Sequence, residues 1–413
     1  MRPPNRRPLR QNSLTRTSGA SPDVPFSPAA RTMKWTTTIL ILCVAVLIGL
    51  GMVMLYSSSM NMEMNRSSVG AHYLLSQLTW FGFGLLACVA VASSDYRKLK
   101  KFAPWLLAFS IVLLCLVFAP KIGITRNGAH RWIGLPGKPH FQPSELAKLA
   151  LILFLAAYAE RFQRRMGEFR FGLLIPGGII ALTLGLIFIE PDRGCTILLA
   201  AVSGVLLILG GVRLFFFVPP AALGAAFVVY SILHDPMRMR RIMAWVHPEQ
   251  AKEGVGYQSY QAMIALGSGG VQGLGLGNGR QKLGFVPEHH TDFIFSIIGE
   301  ELGLIATLAV LALFIVLIVC GCQIARRASD TFGLLLGAGI TFMIGFQAFI
   351  NIGVVTSTLP NKGMPLPFIS YGGSNLLLML VAIGLLLSIS RFAVESERRA
   401  ADPFAPSPEL TNA

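Results

Sequence analysis

Apolar residues fall into ten long runs separated by polar connections, at 36–57, 74–93, 102–120, 143–158, 171–189, 195–211, 215–233, 302–324, 331–354 and 375–392. A helix that crosses a bilayer needs about 20 apolar residues, and the runs are of that order. The fourth and sixth are short, with soft ends. The pattern predicts an all-α, polytopic integral membrane protein of about ten transmembrane helices over residues 35–393. Ahead of it, residues 1–34 are rich in Pro, Arg and Ser and nearly lack large apolar side chains, which predicts a disordered tail. A second tail occupies 394–413. A cleaved signal peptide is not expected, because the charged region before the first run is too long and further runs follow. One connection, 234–291, is long enough to form a large extramembrane loop.

Composition supports the class. Of 413 residues, 53% are hydrophobic and 13% charged, about half the charge of an average soluble domain. A net charge of +15 by itself suggests nucleic acid, but the excess lies in tails and short loops and no basic soluble domain carries it. Counted over alternate connections, one side holds 21 Lys and Arg and the other 13. The richer side is expected to be cytoplasmic, with both termini on it. The six cysteines all lie in or at the ends of apolar runs, so neither a disulfide framework nor a zinc site is expected. The seven histidines form no spaced metal motif.

The cations on the outer side carry more information. Arg126, Arg131, Lys138, Arg238, Arg240, Arg241, Arg280, Lys282 and Lys362 lie where such residues are usually sparse. Two accounts stand level: long loops tolerate charge, or the outer face handles an anion such as a lipid diphosphate. The glycine-dense stretch GSGGVQGLGLGNG (267–279) lacks the strand–turn–helix setting of a dinucleotide site. It suits tight turns and close backbone approach, with a phosphate cradle as the alternative. PEHHTDFIFSIIGEELG (287–303) brings ionisable residues to the edge of the eighth run. Asp292 there is either a helix cap or a functional charge at the membrane edge, and Glu300 and Glu301 read as structural. Glu145 and Lys148, three apart in QPSELAKLA, share a helix face and predict an ion pair. EPDRG (190–194) predicts a charged turn in which Asp192 and Arg193 stay hydrated. In RNGAHRWIGL (126–135), Arg131 and Trp132 reach the interface, where Trp is often a belt residue. LPNKGMPLPFISYGGSN (359–375) is broken backbone of the kind tolerated only against protein or a wet cavity.

With these stretches assembled, the chain resembles the SEDS (shape, elongation, division and sporulation) family of ten-span membrane proteins over about residues 36–392. GLGLGNGRQKLGFVPEHHTDFIFSIIGEELG (273–303) and LPNKGMPLPFISYGGSN carry the resemblance, with RNGAHRWI and FQPSELAKL in support. Details before Gln281 and at 360–363 are nearer the division branch than the elongation branch. The chain departs from the pattern at Asn361, commonly Thr, and at Asn375, commonly a small hydroxyl residue.

The resemblance implies a peptidoglycan glycosyltransferase that polymerises lipid II at the outer face of the bacterial cytoplasmic membrane, at the septum. Its implied partners are a class B penicillin-binding protein, the transpeptidase, and other division membrane proteins. By motif, Asp292 corresponds to the family's essential outer-loop aspartate. The chemistry agrees: an acceptor hydroxyl attacking an anomeric carbon needs one base, and a diphosphate neutralised by cations leaves without a general acid, unlike the two-carboxylate glycosidases. Asp292 is then the base, with Lys362 and Arg131, joined by Arg280 or Lys282, clamping the diphosphate. Trp132 would pack on sugar or lipid, and Ser370 is counted with the substrate-binding set. Glu145, Lys148, His289, His290 and Glu300 are expected to support the site. No cofactor or protein-held metal is expected, while a divalent cation assisting the diphosphate stays open. Competing classes are a lipid II flippase, an elongation-type polymerase and a non-enzymatic scaffold. A transporter would place essential charges near the midplane, often with repeat symmetry.

Overall fold

The computed structural model describes residues 28–63, 69–119, 123–126, 129–134, 140–247, 254–286 and 290–401. The predicted tails fall mainly outside these ranges, as does His289. In chain order the elements are α1 (Pro28–Glu63), α2 (Val69–Ser93), α3 (Leu99–Leu116), β1 (Gly123–Arg126), β2 (Ala129–Ile133), α4 (Pro143–Arg161), α5 (Ile175–Ile189), α6 (Arg193–Leu209), α7 (Val218–Leu233), α8 (Pro236–Val246), α9 (Tyr257–Gly269), α10 (Ile294–Arg326), α11 (Thr331–Val355) and α12 (Gly373–Ala401).

Each of the ten apolar runs is a helix. Among the described residues, eight helices are long and apolar enough to cross a membrane; α6 is apolar but shorter. The tenth run is α4, which carries Glu145 and Lys148 yet is buried along nearly its whole length. Surrounded by other helices, α4 has no face to offer lipid and can hold an ion pair that a peripheral helix could not. Around it, α11 and α12 are two-thirds buried over their apolar windows, whereas α7 has no buried residue in its own. The interior is therefore formed by α4, α6, α11 and α12, and α7 stands at the rim. The first helix begins at Pro28, within the segment read as tail.

Two features were not expected. The connection after α3 folds as an antiparallel hairpin, pairing Ile124 with Trp132 and Arg126 with Ala129; the intervening sequence reads Asn-Gly, a strong hairpin signal. The eighth run, expected from residue 302, lies in a helix that begins at Ile294 and breaks at Gly303 (φ 75°, ψ −172°). The outer piece is a short buried half-helix, and the remaining 304–326 measures roughly 35 Å at 1.5 Å per residue, close to a bilayer core.

The break is filled by the glycine-dense stretch. The N–H groups of Leu274 and Gly275 donate to the carbonyls of Glu300 (3.0 Å) and Glu301 (2.9 Å), while Leu304 N–H donates to Gly270 O (3.0 Å). Broken backbone at this depth persists only when such partners exist. A side chain at Gly273 (φ 82°) would collide with Glu301 O, and one at Gly303 with Gly273 N, so close approach explains both glycines. The same segment supplies Gly277 N–H to Glu301 (3.1 Å) and Arg280 N–H to Glu300 (2.8 Å). Its donors are thus spent on the chain's own carbonyls and carboxylates, which favours the close-approach reading over a phosphate cradle.

Candidate active site

Lys282 is the first correction to the expected clamp. It is 3% exposed, and its Nζ lies 2.6 Å from Glu301 Oε1 and 3.0 Å from Ser57 Oγ. An ammonium enclosed this way neutralises Glu301 and is not offered to a ligand. Arg280 is exposed beside it, its N–H on Glu300, two helical turns from Asp292. Neither belongs to the cation group described below. Lys282→Ala should lower stability by about 3–5 kcal/mol, because it leaves Glu301 buried without its cation. Lys282→Met combined with Glu301→Gln should recover most of the loss, read as the melting temperature of the protein in detergent.

Asp292 is half-buried just ahead of α10. The N-cap position of that helix is Phe293, with no side-chain cap hydrogen bond, so Asp292 does not occupy the capping position. Its Oδ2 packs against Gly363 so closely that a Cβ there would collide with it. Gly363 belongs to the last outer loop, and α11 holds the two together. Asn351 Nδ2 donates both to Asp292 O (2.8 Å) and to Met364 O (2.6 Å). One turn deeper, Gln347 Nε2 donates to Pro365 O (2.9 Å) and its Oε1 accepts from Lys148 Nζ (2.9 Å). Lys148 pairs with Glu145 at 2.8 Å as expected, and Glu145 also accepts from Asn375 (2.9 Å). The α4 pair is thus the foot of a polar chain that braces the loop. Amides inside an apolar run were the sequence signal for Asn351 and Gln347.

Ser370 is part of the same bracing. Its hydroxyl donates to Thr291 O (2.6 Å) and accepts from Leu366 N–H (2.8 Å), so it locates Asp292 from the neighbouring residue. His290 lies beside the rings of Tyr73 (5.1 Å) and Tyr371 (6.0 Å), and its carbonyl accepts from Tyr371 N–H. Both placements are supporting ones, which moves Ser370 out of the expected substrate contacts.

The cations assemble on the other side of Gly363. Lys362 is half-buried; burial, then the positive field of Arg193, pushes its ammonium below the ordinary lysine value. Arg193 is repelled by Arg238, Arg241 and Arg131 and attracted by Asp235. Lys362 thus feels Arg193, and Arg193 feels the three arginines, while Gly363 lies between Asp292 and Gly194. Arg193 was expected to stay hydrated; it is half-buried within this group instead. Asp192 is buried and caps α6 through Cys195 N–H (3.1 Å).

Arg131 is reached through the hairpin. Its guanidinium donates to the carbonyls of Glu190 (3.3 Å) and Pro191 (2.6 Å), tying β2 to the α5–α6 turn. Trp132 follows it in the strand and pairs with Ile124, whereas Thr125 pairs with His130, so Arg131 is the unpaired residue of a β-bulge, a feature that re-aims a side chain locally. Among the described residues no three His, Cys, Asp or Glu side chains converge as metal ligands.

Glu190 completes the turn. It is 0% exposed and neither carboxyl oxygen has a hydrogen-bond partner among the described residues. Burial, then the charge of Asp192, pushes its pKa from 4.5 up to about 8 against the pull of Arg131. With a folded value above the unfolded one, stability is fully present below pH 4.5 and declines as pH rises towards 8. Glu190→Gln, which mimics the protonated acid, should therefore stabilise the protein by an amount that grows over this window and then levels. At about 1.4 kcal/mol per unit the upper limit is roughly 5 kcal/mol, and melting curves at pH 5, 7 and 9 would reveal the trend.

Comparison with known proteins agrees with this architecture. The chain is 42% identical over 352 residues to a probable peptidoglycan glycosyltransferase FtsW of Trichlorobacter lovleyi, covering 85% of this chain and 92% of that one. It is 40% identical over 317 residues to stage V sporulation protein E of Bacillus subtilis, covering 77% and 86%. A structure described as "Structural coordination of polymerization and crosslinking by a peptidoglycan synthase complex" superposes with a TM-score of 0.70 at 26% identity, over 86% of this chain and 97% of that one. The rod shape determining protein RodA of Thermus thermophilus superposes with a TM-score of 0.61 at 27% identity, over 85% and 95%. The sequence model for cell cycle proteins of the FtsW, RodA and SpoVE type matches residues 37–395, and the chain therefore belongs to that family, the SEDS family, as an FtsW-like member.

Proposed function

We propose that this protein is a peptidoglycan glycosyltransferase that polymerises lipid II at the outer face of the cytoplasmic membrane during septal wall synthesis. One observation carries the mechanism: the Asp292 carboxylate packs on Gly363, next to Lys362 and the arginines around Arg193. A base and an anion site thus lie side by side. Asp292 takes the proton of the acceptor sugar hydroxyl as that oxygen bonds to the anomeric carbon of the growing chain. The bond from that carbon to the lipid diphosphate breaks, and the diphosphate leaves as an anion. Lys362, Arg193 and Arg131, with Arg238 and Arg241 from α8, receive the charge. Arg238, Arg241 and Arg131 repel Arg193 more than Asp235 alone offsets, so a polyanion is the ligand that relieves them.

A carrier would need unneutralised charges inside the bundle. The two buried lysines are each neutralised inside the bundle, Lys148 by Glu145 and Lys282 by Glu301, which favours polymerase over flippase. Both termini lie in the cytoplasm in this reading, and the partner is a class B transpeptidase. A reconstitution separates the classes: purified protein and transpeptidase in nanodiscs are supplied with lipid II. Glycan strands on a gel are expected, and in vesicles, movement of lipid II between leaflets without polymer would overturn the proposal.

A further inference from the structure

Helix α8 is amphipathic in an inverted sense. Met239, Ile242, Met243 and Val246 recur at i, i+3, i+4 and i+7, one apolar stripe of a helix. In a water-soluble fold that stripe would face the core. Here no residue of α8 is buried, and Met243 and Val246 are 55% and 53% exposed. Arg238, Met239, Ile242 and Ala244 are half-buried where the helix meets the protein, and the hydrogen bonds at that edge are made by polar groups. Trp245 Nε1 donates to Ser357 O (2.9 Å), and Arg241 and Trp245 line a small pocket with Ser259, Ser357 and Asn361. Arg238 is held by Asp235 (2.7 Å) and by Ser231 O (3.2 Å).

What covers the stripe follows from the chain's path. The preceding helix α7 ends at Leu233, touches α5 through Phe227 and Phe188 (5.6 Å) and has no buried residue over its apolar window, which leaves most of its surface to lipid. Only His234 and Asp235 intervene before α8, and Asp235 caps the new helix. Three residue steps reach roughly 10 Å at most, which keeps the start of α8 within headgroup distance of the outer end of α7. Arg238, Arg240 and Arg241 complement a phosphate-bearing surface at that level.

We propose that α8 is an interfacial helix whose partner is the outer leaflet itself, seated by Met243 and Val246 at the boundary of headgroups and acyl chains, with the half-buried Met239 and Ile242 at the inner edge of the same stripe. The seat holds Arg238 and Arg241 at the height where lipid-linked phosphates lie. That consequence rests on the polymerase reading; the seat does not.

The test uses the whole protein in nanodiscs of phosphatidylcholine and phosphatidylglycerol, with the photocrosslinker p-benzoylphenylalanine in place of Met243, Val246 or, as the contrast, Arg240. Lipid adducts should form at 243 and 246 at roughly tenfold the yield at 240, as expected of a helix lying in the interface. Equal yields at the three positions, or none at 243 and 246, overturn the seat. In a Met243→Glu, Val246→Glu variant that keeps the parent melting temperature, adducts from the photocrosslinker at Met239 should fall by a similar factor. Unchanged adducts there also count against the proposal. Lipid adducts on a parent protein that makes no glycan with its transpeptidase overturn the enzymatic reading alone.

Discussion

Asp292→Asn, reconstituted with the transpeptidase and given lipid II, is expected to make glycan about 10²–10⁴-fold more slowly than the parent, the range for removing a general base. The substitution changes one atom and keeps the shape. Asn351 bonds the main-chain carbonyl of residue 292 rather than its side chain, so the brace survives. Packing on Gly363 is also retained. The melting temperature and the KM for lipid II should therefore stay near the parent values while kcat falls. Undiminished polymerisation would remove Asp292 from the mechanism. A parallel loss of melting temperature would mean that the carboxylate is a brace and not a base.

Arg193→Gln should move activity and stability in opposite directions. Arg193 feels the charges of Arg238, Arg241 and Arg131, and like charges brought together raise the energy of the fold. Removing one should leave the melting temperature equal or higher. Turnover should drop by roughly 10²–10³, as when one donor to a developing anion is lost. Lys362→Gln should behave similarly, and in the parent the lysine adds a pH signature. Its ammonium is held below the ordinary value by burial and by Arg193, so it loses its proton at lower pH than a free lysine. Turnover in the parent should consequently fall on the alkaline side, and Lys362→Arg, which keeps its charge, should extend the plateau. If turnover falls in step with melting temperature in Arg193→Gln, the arginine is structural and the anion site lies elsewhere.

The ten helices were legible because the bilayer imposes a one-dimensional rule: a run of apolar residues of spanning length becomes a helix with all backbone bonds internal. The Glu145–Lys148 pair was legible for a comparable reason, since three-residue spacing alone puts both on one helix face. Asp292 stood out by its place in a motif, and its ability to act as a base is a property of the residue type.

The roles of the cations were not local. Arg131, Arg280, Lys282 and Lys362 look alike along the chain. Lys282 is buried against Glu301 only because a stretch of glycines enters the gap at Gly303, a contact between α10 and a segment some twenty residues earlier. Arg193 joins Lys362 only because the α5–α6 turn packs on the last outer loop. Arg131 reaches the α5–α6 turn only because the connection after α3 folds as a hairpin with a bulge at that residue. Hydrophobic patterning by itself determined which segments enter the membrane, because that depends on each segment's own transfer from water. Which charges are neutralised and which are left for a ligand was decided by tertiary structure alone, because a charge's fate depends on the neighbours that folding brings within a few ångströms of it.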